Sequence, residues 1–383
     1  MRVTDYELFA VPPRWLFLKL TTDDGTVGWG EPILEGRTET VRAAVTELID
    51  DFVLGSDPAE IERLWQQCYR GGHYRGGPVL MSAIAGIDQA LWDLKGKQFG
   101  APVYELLGGR ARDQIWTYQW VGGERPAEVA AAAEEAVAAD YSVLKMMLSS
   151  RSHERNRERL VRTGRERVRA VREAVGEDVD IAVDCRGRIS KSKVTHLASE
   201  LEAFDPLFLE EPVLPEQNES LATITPTIDI PVATGQRLYS RWDFKGLFGN
   251  DAVAIVQPDI SHAGGISEVR KIAGMAEAHD VSLAPKAPVG PISFAACLQI
   301  DFCTPNAVLQ EQNLDVHEPG DNDLLRYLAN PSVFEYDRGF LKPPDGPGLG
   351  IEIDESYVQK QEEKEIRWQT PLWYNEDGSI AEW

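Results

Sequence analysis

The sequence predicts a closed α/β barrel of eight parallel strands behind a smaller α+β cap. Its 383 residues exceed what a single core usually holds. Between Gln114 and Gln312, short β-rich runs alternate regularly with helix-patterned stretches. A polar residue stands at the same end of almost every one of those runs.

Residues 1–114 read as an N-terminal α+β capping domain. VTDYELFAV and RWLFLKLTTDDGTVGWGEP alternate as strands do, with Asp24-Gly25 as the tight turn. RTETVRAAVTELIDDFVLG, DPAEIERLWQQCYR and LMSAIAGIDQALWDLKGKQFG follow with helical periodicity. In the second of these, Asp57 is the expected N-cap and Pro58 the first helical residue.

Residues 115–325 read as the barrel. Its strands are IWTYQWV, VLKMML, DIAVDC, PLFLEEP, PVATGQ, AIVQPDI, VSLAPKA and AVLQEQ. Segments such as PAEVAAAAEEAVAAD, KVTHLASELEAFD and GISEVRKIAGMAEAHD lie between them, so each crossover is right-handed and the strands run parallel. A doubly wound open sheet is the alternative, but it gives no reason for polar residues to gather at one end of so many strands. The last helix is displaced by residues 326–383, a C-terminal segment expected to pack on cap and barrel.

Composition narrows the function classes. Lys and Arg total 39 against 62 Asp and Glu, a net charge of −23. Such a field repels phosphate, which excludes nucleic acid and anionic membrane as partners. It also suggests adaptation to high salt. The N-terminal MRVTDYELFA is charged and no apolar run spans a bilayer, so a soluble cytoplasmic protein is expected. Cys68, Cys185, Cys297 and Cys303 show no CxxC or zinc spacing and are expected to be reduced.

The strand-end residues are Lys145, Asp184, Glu210, Gln236, Asp259, Lys286 and Glu311. From Asp184 onward the steps are 26, 26, 23, 27 and 25 residues, one βα unit each. That spacing sets them on one rim, where barrel enzymes hold their chemistry. Asp184, Glu210 and Gln236 suit a hard cation such as Mg²⁺, with ion pairing to rim Arg and Lys as the plainer alternative. Asp259 and Lys286 end adjacent strands, within reach of a hydrogen bond. Lys286 is either a proton acceptor or half of a structural ion pair. Glu311 is a substrate-binding group or its counter-ion. Glu211 should alternate toward the helix layer and meet an Arg. His262 and His317 stand on loops, where they reach a ligand or cap a turn. The Arg-rich run from Arg151 to Arg172 reads as a solvated or interface face, and Gly264-Gly265 as a weak anion cradle.

The segments PPRWLFLKL, YRGGPVLMSAIAGIDQALWDLKGK, FLEEPVLPE, LYSRWDFK, QPDISHAGGISEVRKIAGMAEAHDVSLAP, GPISFAACLQIDF, NAVLQEQ, PGLGIEID and DGSIAEW resemble the enolase superfamily. The resemblance is to its mandelate racemase and muconate lactonizing enzyme branch, nearest to D-galactonate dehydratases, and it runs end to end. It implies a modified (β/α)₇β TIM-type barrel under a cap, a homo-oligomer, a small sugar acid as substrate, and Mg²⁺ held by three carboxylates. Position by position, the metal ligands fall on Asp184, Glu210 and Gln236. One catalytic histidine falls on Arg186, and the other, paired with Asp259, falls on Lys286. Glu311 matches the acidic group of the eighth strand.

Three central positions thus depart from the pattern. Arg186 keeps its proton, so it suits gripping a carboxylate better than moving protons. Asp184, Glu210 and Arg186 together carry the net charge of three carboxylates and a divalent ion. The guanidinium is therefore expected to occupy or face the metal position, with Mg²⁺ bound weakly or not at all. The leading expectation is an acid-sugar dehydratase with rebuilt machinery, Lys286 as base and Arg186 on the substrate carboxylate. The alternatives are a non-catalytic sugar-acid-binding descendant, or a racemase in which Lys145 supplies a second base.

Overall fold

The computed structural model describes residues 1–149, 157–317, 323–362, 364, 368–375 and 377–381. The chain opens with an antiparallel sheet of β1 (Val3–Val11), β2 (Trp15–Thr22) and β3 (Val27–Gly30). Gly25, at φ +84°, turns β2 into β3 as expected. Three helices follow: α1 (Thr38–Leu48), running on as a π-helical turn to Val53, then α2 (Ile61–Arg70) and α3 (Pro78–Phe99). Leu16, Leu18 and Leu20 of β2 belong to one buried apolar cluster with Val41, Val45, Ile84, Ile87 and Leu91. The backbone of β3 lies directly on α3: a Cβ on Gly30 would stand 1.9 Å from the Gly86 carbonyl oxygen. The second helix begins at Ile61, later than Pro58, because Asp57 Oδ1 accepts the Ala59 N–H at 2.9 Å and closes a turn there instead.

The short helix α4 (Val103–Leu106) leads into the barrel. Its strands are β4 (Ile115–Val121), β5 (Val143–Met147), β6 (Asp180–Asp184), β7 (Phe208–Glu210), β8 (Val232–Thr234), β9 (Ile255–Val256), β10 (Ser282–Leu283) and β11 (Gln310–Glu311). Between them run α5 (Pro126–Ala138), α6 (Arg157–Val175), α7 (Val194–Leu201), α8 (Leu221–Ile224), α9 (Arg241–Phe248), α10 (Ile266–Glu277) and α11 (Pro291–Cys303). β4 to β10 pair in sequence, all parallel. The ring closes because β11 pairs with β4, and a bridge from Leu283 to Ala307 joins β10 to the run entering β11. An open sheet is thereby excluded.

After β11 the chain leaves the βα pattern. A hairpin of β12 (Tyr336–Asp337) and β13 (Phe340–Leu341) lays β13 antiparallel on the start of β4, and α12 (Glu355–Glu362) follows. This tail reaches the cap: Tyr327 donates its hydroxyl to the Pro12 carbonyl at 2.7 Å, and Lys19 pairs with Glu355 at 2.5 Å.

The Arg-rich run is not simply a solvated face. Arg167 is 1% exposed and donates to the Gly123 and Glu124 carbonyls, fixing α6 to the loop after β4. Arg172 ties the Gly176, Val179 and Phe204 carbonyls. Arg151, at the start of the run, lies outside the described residues. Among the described residues, no helix is long and apolar enough to cross a membrane.

Candidate active site

The expected strand-end residues meet at one mouth of the barrel, around and beneath a cavity of about 320 Å³. Asp184, Arg186, Gln236, Lys286 and Glu311 line it from the barrel; Arg14, Leu34 and Glu35 line it from the cap. Arg14 and Glu35 pair at 3.3 Å.

Beneath the cavity the charged groups form a closed set. Glu210 is 1% exposed and accepts from Lys145 at 2.5 Å, Lys286 at 2.8 Å and Gln257 Nε2 at 2.9 Å. Lys286 also donates to Glu311 at 3.0 Å, and Lys145 stands 3.5 Å from the same oxygen. Trp120 covers the pair: its Nε1 donates to Glu311 at 3.0 Å, and the Lys145 ammonium lies 4.5 Å from its ring centre. Arg186, at φ +50°, turns back so that its Nε stands 3.6 Å from Asp184 Oδ2, while its backbone N–H donates to Oδ1 at 2.8 Å.

These contacts set the charge states. Burial alone would raise the Glu210 carboxyl, but Lys145 and Lys286 outweigh it and hold it down at about 2. Burial would make Lys286 less basic; Glu210, Glu311 and Asp184 reverse this and push it well above an ordinary lysine. These contacts favour the ammonium form of Lys286, in line with the ion-pair alternative for this residue. Asp184 moves up through burial and the nearby Glu210 charge, against the pull of Lys145, Lys286 and Arg186.

This arrangement does not fit Mg²⁺. The three anionic side chains Asp184, Glu210 and Glu311 already face three cations, Lys145, Lys286 and Arg186. A divalent ion on Glu210 would stand beside two ammoniums, and like charges about 4 Å apart repel by several kcal/mol even with strong screening. Gln236 lines the cavity but brings no charge. Among the described residues, no three His, Cys, Asp or Glu side chains are grouped to hold a metal ion.

Other expectations are modified. Glu211 meets an Arg, with Arg237 at 2.8 Å, but its φ of +40° breaks strand alternation and leaves it on the cavity wall. Asp259 and Lys286 are joined by a backbone bridge, yet the ammonium bonds Glu210 and Glu311. Gly264-Gly265 does open α10, but the acceptor there is the protein's own: Asp88 accepts the Ser267 N–H at 3.0 Å, and a Cβ on Gly265 would meet its carboxyl group at 2.5 Å. His317 bonds Tyr141 and is absent from the cavity lining. Lys145 is 0% exposed under Trp120 and does not line the cavity. Gln257 and Trp120 escaped the sequence reading; Gln257 shares a strand face with Asp259 two residues on, a signal that was available.

Residues 12–108 match the mandelate racemase / muconate lactonizing enzyme N-terminal domain, and residues 128–357 the enolase C-terminal domain-like family. D-galactonate dehydratases from Ralstonia pickettii and Ralstonia nicotianae are each 49% identical over 383 residues, covering all of both chains. An enolase from Agrobacterium radiobacter, solved with Na and L-malate bound, superposes with a TM-score of 0.91 at 30% identity over 100% of both chains. A mandelate racemase/muconate lactonizing enzyme from Jannaschia sp. CCS1 gives 0.88 at 28% identity, covering 97% of this chain and 100% of that one.

Proposed function

Because the chain belongs to the mandelate racemase/muconate lactonizing enzyme family of the enolase superfamily, we propose that it dehydrates a sugar acid of the galactonate type with fixed cations in place of Mg²⁺. The observation that carries this is the double clamp on Glu210 by Lys145 and Lys286, with Arg186 against Asp184.

Dehydration of a 2,3-dihydroxy acid passes through an enediolate, whose second negative charge must be met by preorganised donors. Arg186 faces the cavity with a planar fork suited to a carboxylate. Lys286 lies at the floor, and its paired ammonium donates hydrogen bonds where charge builds up. A cavity of about 320 Å³ is at the lower end of the range for small-molecule sites and matches a six-carbon acid. The racemase alternative is less well supported, since Lys145 lies under Trp120 and Tyr118, away from the cavity.

The test is a screen of acid sugars for 2-keto-3-deoxy product, with and without Mg²⁺, beside Lys286→Ala. Product independent of added Mg²⁺ and lost in the variant is expected. No product from any sugar would favour a non-catalytic sugar-acid-binding protein.

A further inference from the structure

His262 lines the same cavity and takes no part in the charge set beneath it. It stands on the turn after β9, three residues beyond Asp259, and is 7% exposed. Its Nδ1 lies 2.9 Å from Ser82 Oγ on α3, so a helix of the cap fixes the plane of the ring. Its Nε2 lies 3.9 Å from Asp259 Oδ2, beyond hydrogen-bonding distance but close enough to pair once the ring is cationic.

Asp259 is itself 0% exposed. One of its oxygens accepts the Ser261 N–H at 2.9 Å, while Oδ2 is buried with no hydrogen-bond partner among the described residues. An orphaned buried carboxylate oxygen is costly and asks for an explanation. An imidazole that becomes charged during turnover provides one. Lys286, which the chain places beside Asp259, is turned to Glu210 and Glu311.

We infer that His262 is the proton-transfer residue of this site, oriented by Ser82 and backed by Asp259. The inference rests on the dehydratase reading. When Nδ1–H donates to Ser82 Oγ, Nε2 keeps a lone pair that can take up a proton. Nε2 takes the proton from C2 of the bound acid, the C2–H electrons pass into the carboxylate as an enediolate, and the imidazolium faces Asp259. The enediolate electrons then return to form the C2–C3 double bond and expel the C3 hydroxyl, which takes the proton back from Nε2 and leaves as water. The enol shifts its O2 proton to C3, giving the 2-keto-3-deoxy acid. One imidazole serving both transfers requires the proton and the hydroxyl to leave from the same face.

The test follows D-galactonate and the other acid sugars of the screen with the wild type, His262→Asn and His262→Ala by proton NMR in D₂O, with binding measured by calorimetry. The expected result is a fall in turnover of about 10²-fold or more in both variants, affinity within a few-fold, and partial rescue of His262→Ala by added imidazole. A folded His262→Asn that turns over within a few-fold of wild type overturns the role of His262 and leaves the dehydratase reading standing. A wild type that transforms no acid sugar overturns both. Should neither variant fold, the His262 Nε2 resonance of ¹⁵N-labelled wild type decides: it is expected to move when the sugar acid binds, and an unmoved resonance overturns the inference.

Discussion

Glu210 shows how much depends on single contacts. It receives two ammoniums and an amide while only 1% exposed, so its removal leaves Lys145 and Lys286 short of a counter-ion. Glu210→Gln is expected to lower unfolding free energy by about 3–5 kcal/mol in urea denaturation, the usual cost of breaking a buried ion pair. A loss below about 1 kcal/mol would mean the ammoniums find other partners. The pairing of Lys286 with Glu311 was legible in the sequence, because their strand ends are one βα step apart. The contacts of Glu210 with Lys145 and Lys286 were not, since they cross the ring between strands that are not neighbours. Spacing gives order around a rim; it does not tell which side chains reach over it.

At the scale of elements, the cap is docked through carboxylates placed at helix N-termini. Glu31, just past β3, accepts the Gly290 N–H at 2.7 Å and the Ser293 N–H at 3.0 Å at the start of α11, while Asp88 does the same for α10. Burial outweighs these bonds and pushes Glu31 up to about 8 and Asp88 up to about 7. Both values lie above those of an unfolded chain, so the folded state holds extra protons between them. The resulting stabilisation is complete below about pH 4 and is lost as pH rises through 7 to 8. Melting temperature is therefore expected to fall from pH 5 to pH 9, with a shallower slope in Glu31→Gln. An equal slope in wild type and variant would count against it. Helical periodicity revealed α1, α3, α5 and α10 in the sequence, yet not the start of α2, where a side chain competed for a backbone N–H. It could not show that the acceptor at Gly264-Gly265 comes from α3, a helix about 180 residues away in the chain.

Across the whole molecule, closure of the barrel was legible because eight alternating units and a recurring polar end have few other solutions. The return of the tail to the cap was expected from the sequence; the contacts that make it, such as Tyr327 with Pro12, are dispersed, and no local pattern names the partners. A net charge of −23 repels itself in dilute buffer. Melting temperature is expected to rise with KCl, and a protein equally stable without salt would contradict an adaptation to brine. Metal affinity tests the fixed-cation site most directly. Magnesium should be titrated calorimetrically into the intact protein in about 1 M KCl, where the screening length near 3 Å suppresses loose binding to the acidic surface. No saturable heat is expected; a single site of micromolar affinity would show that the lysines and Arg186 give way to the ion, and would contradict the replacement of metal by fixed cations.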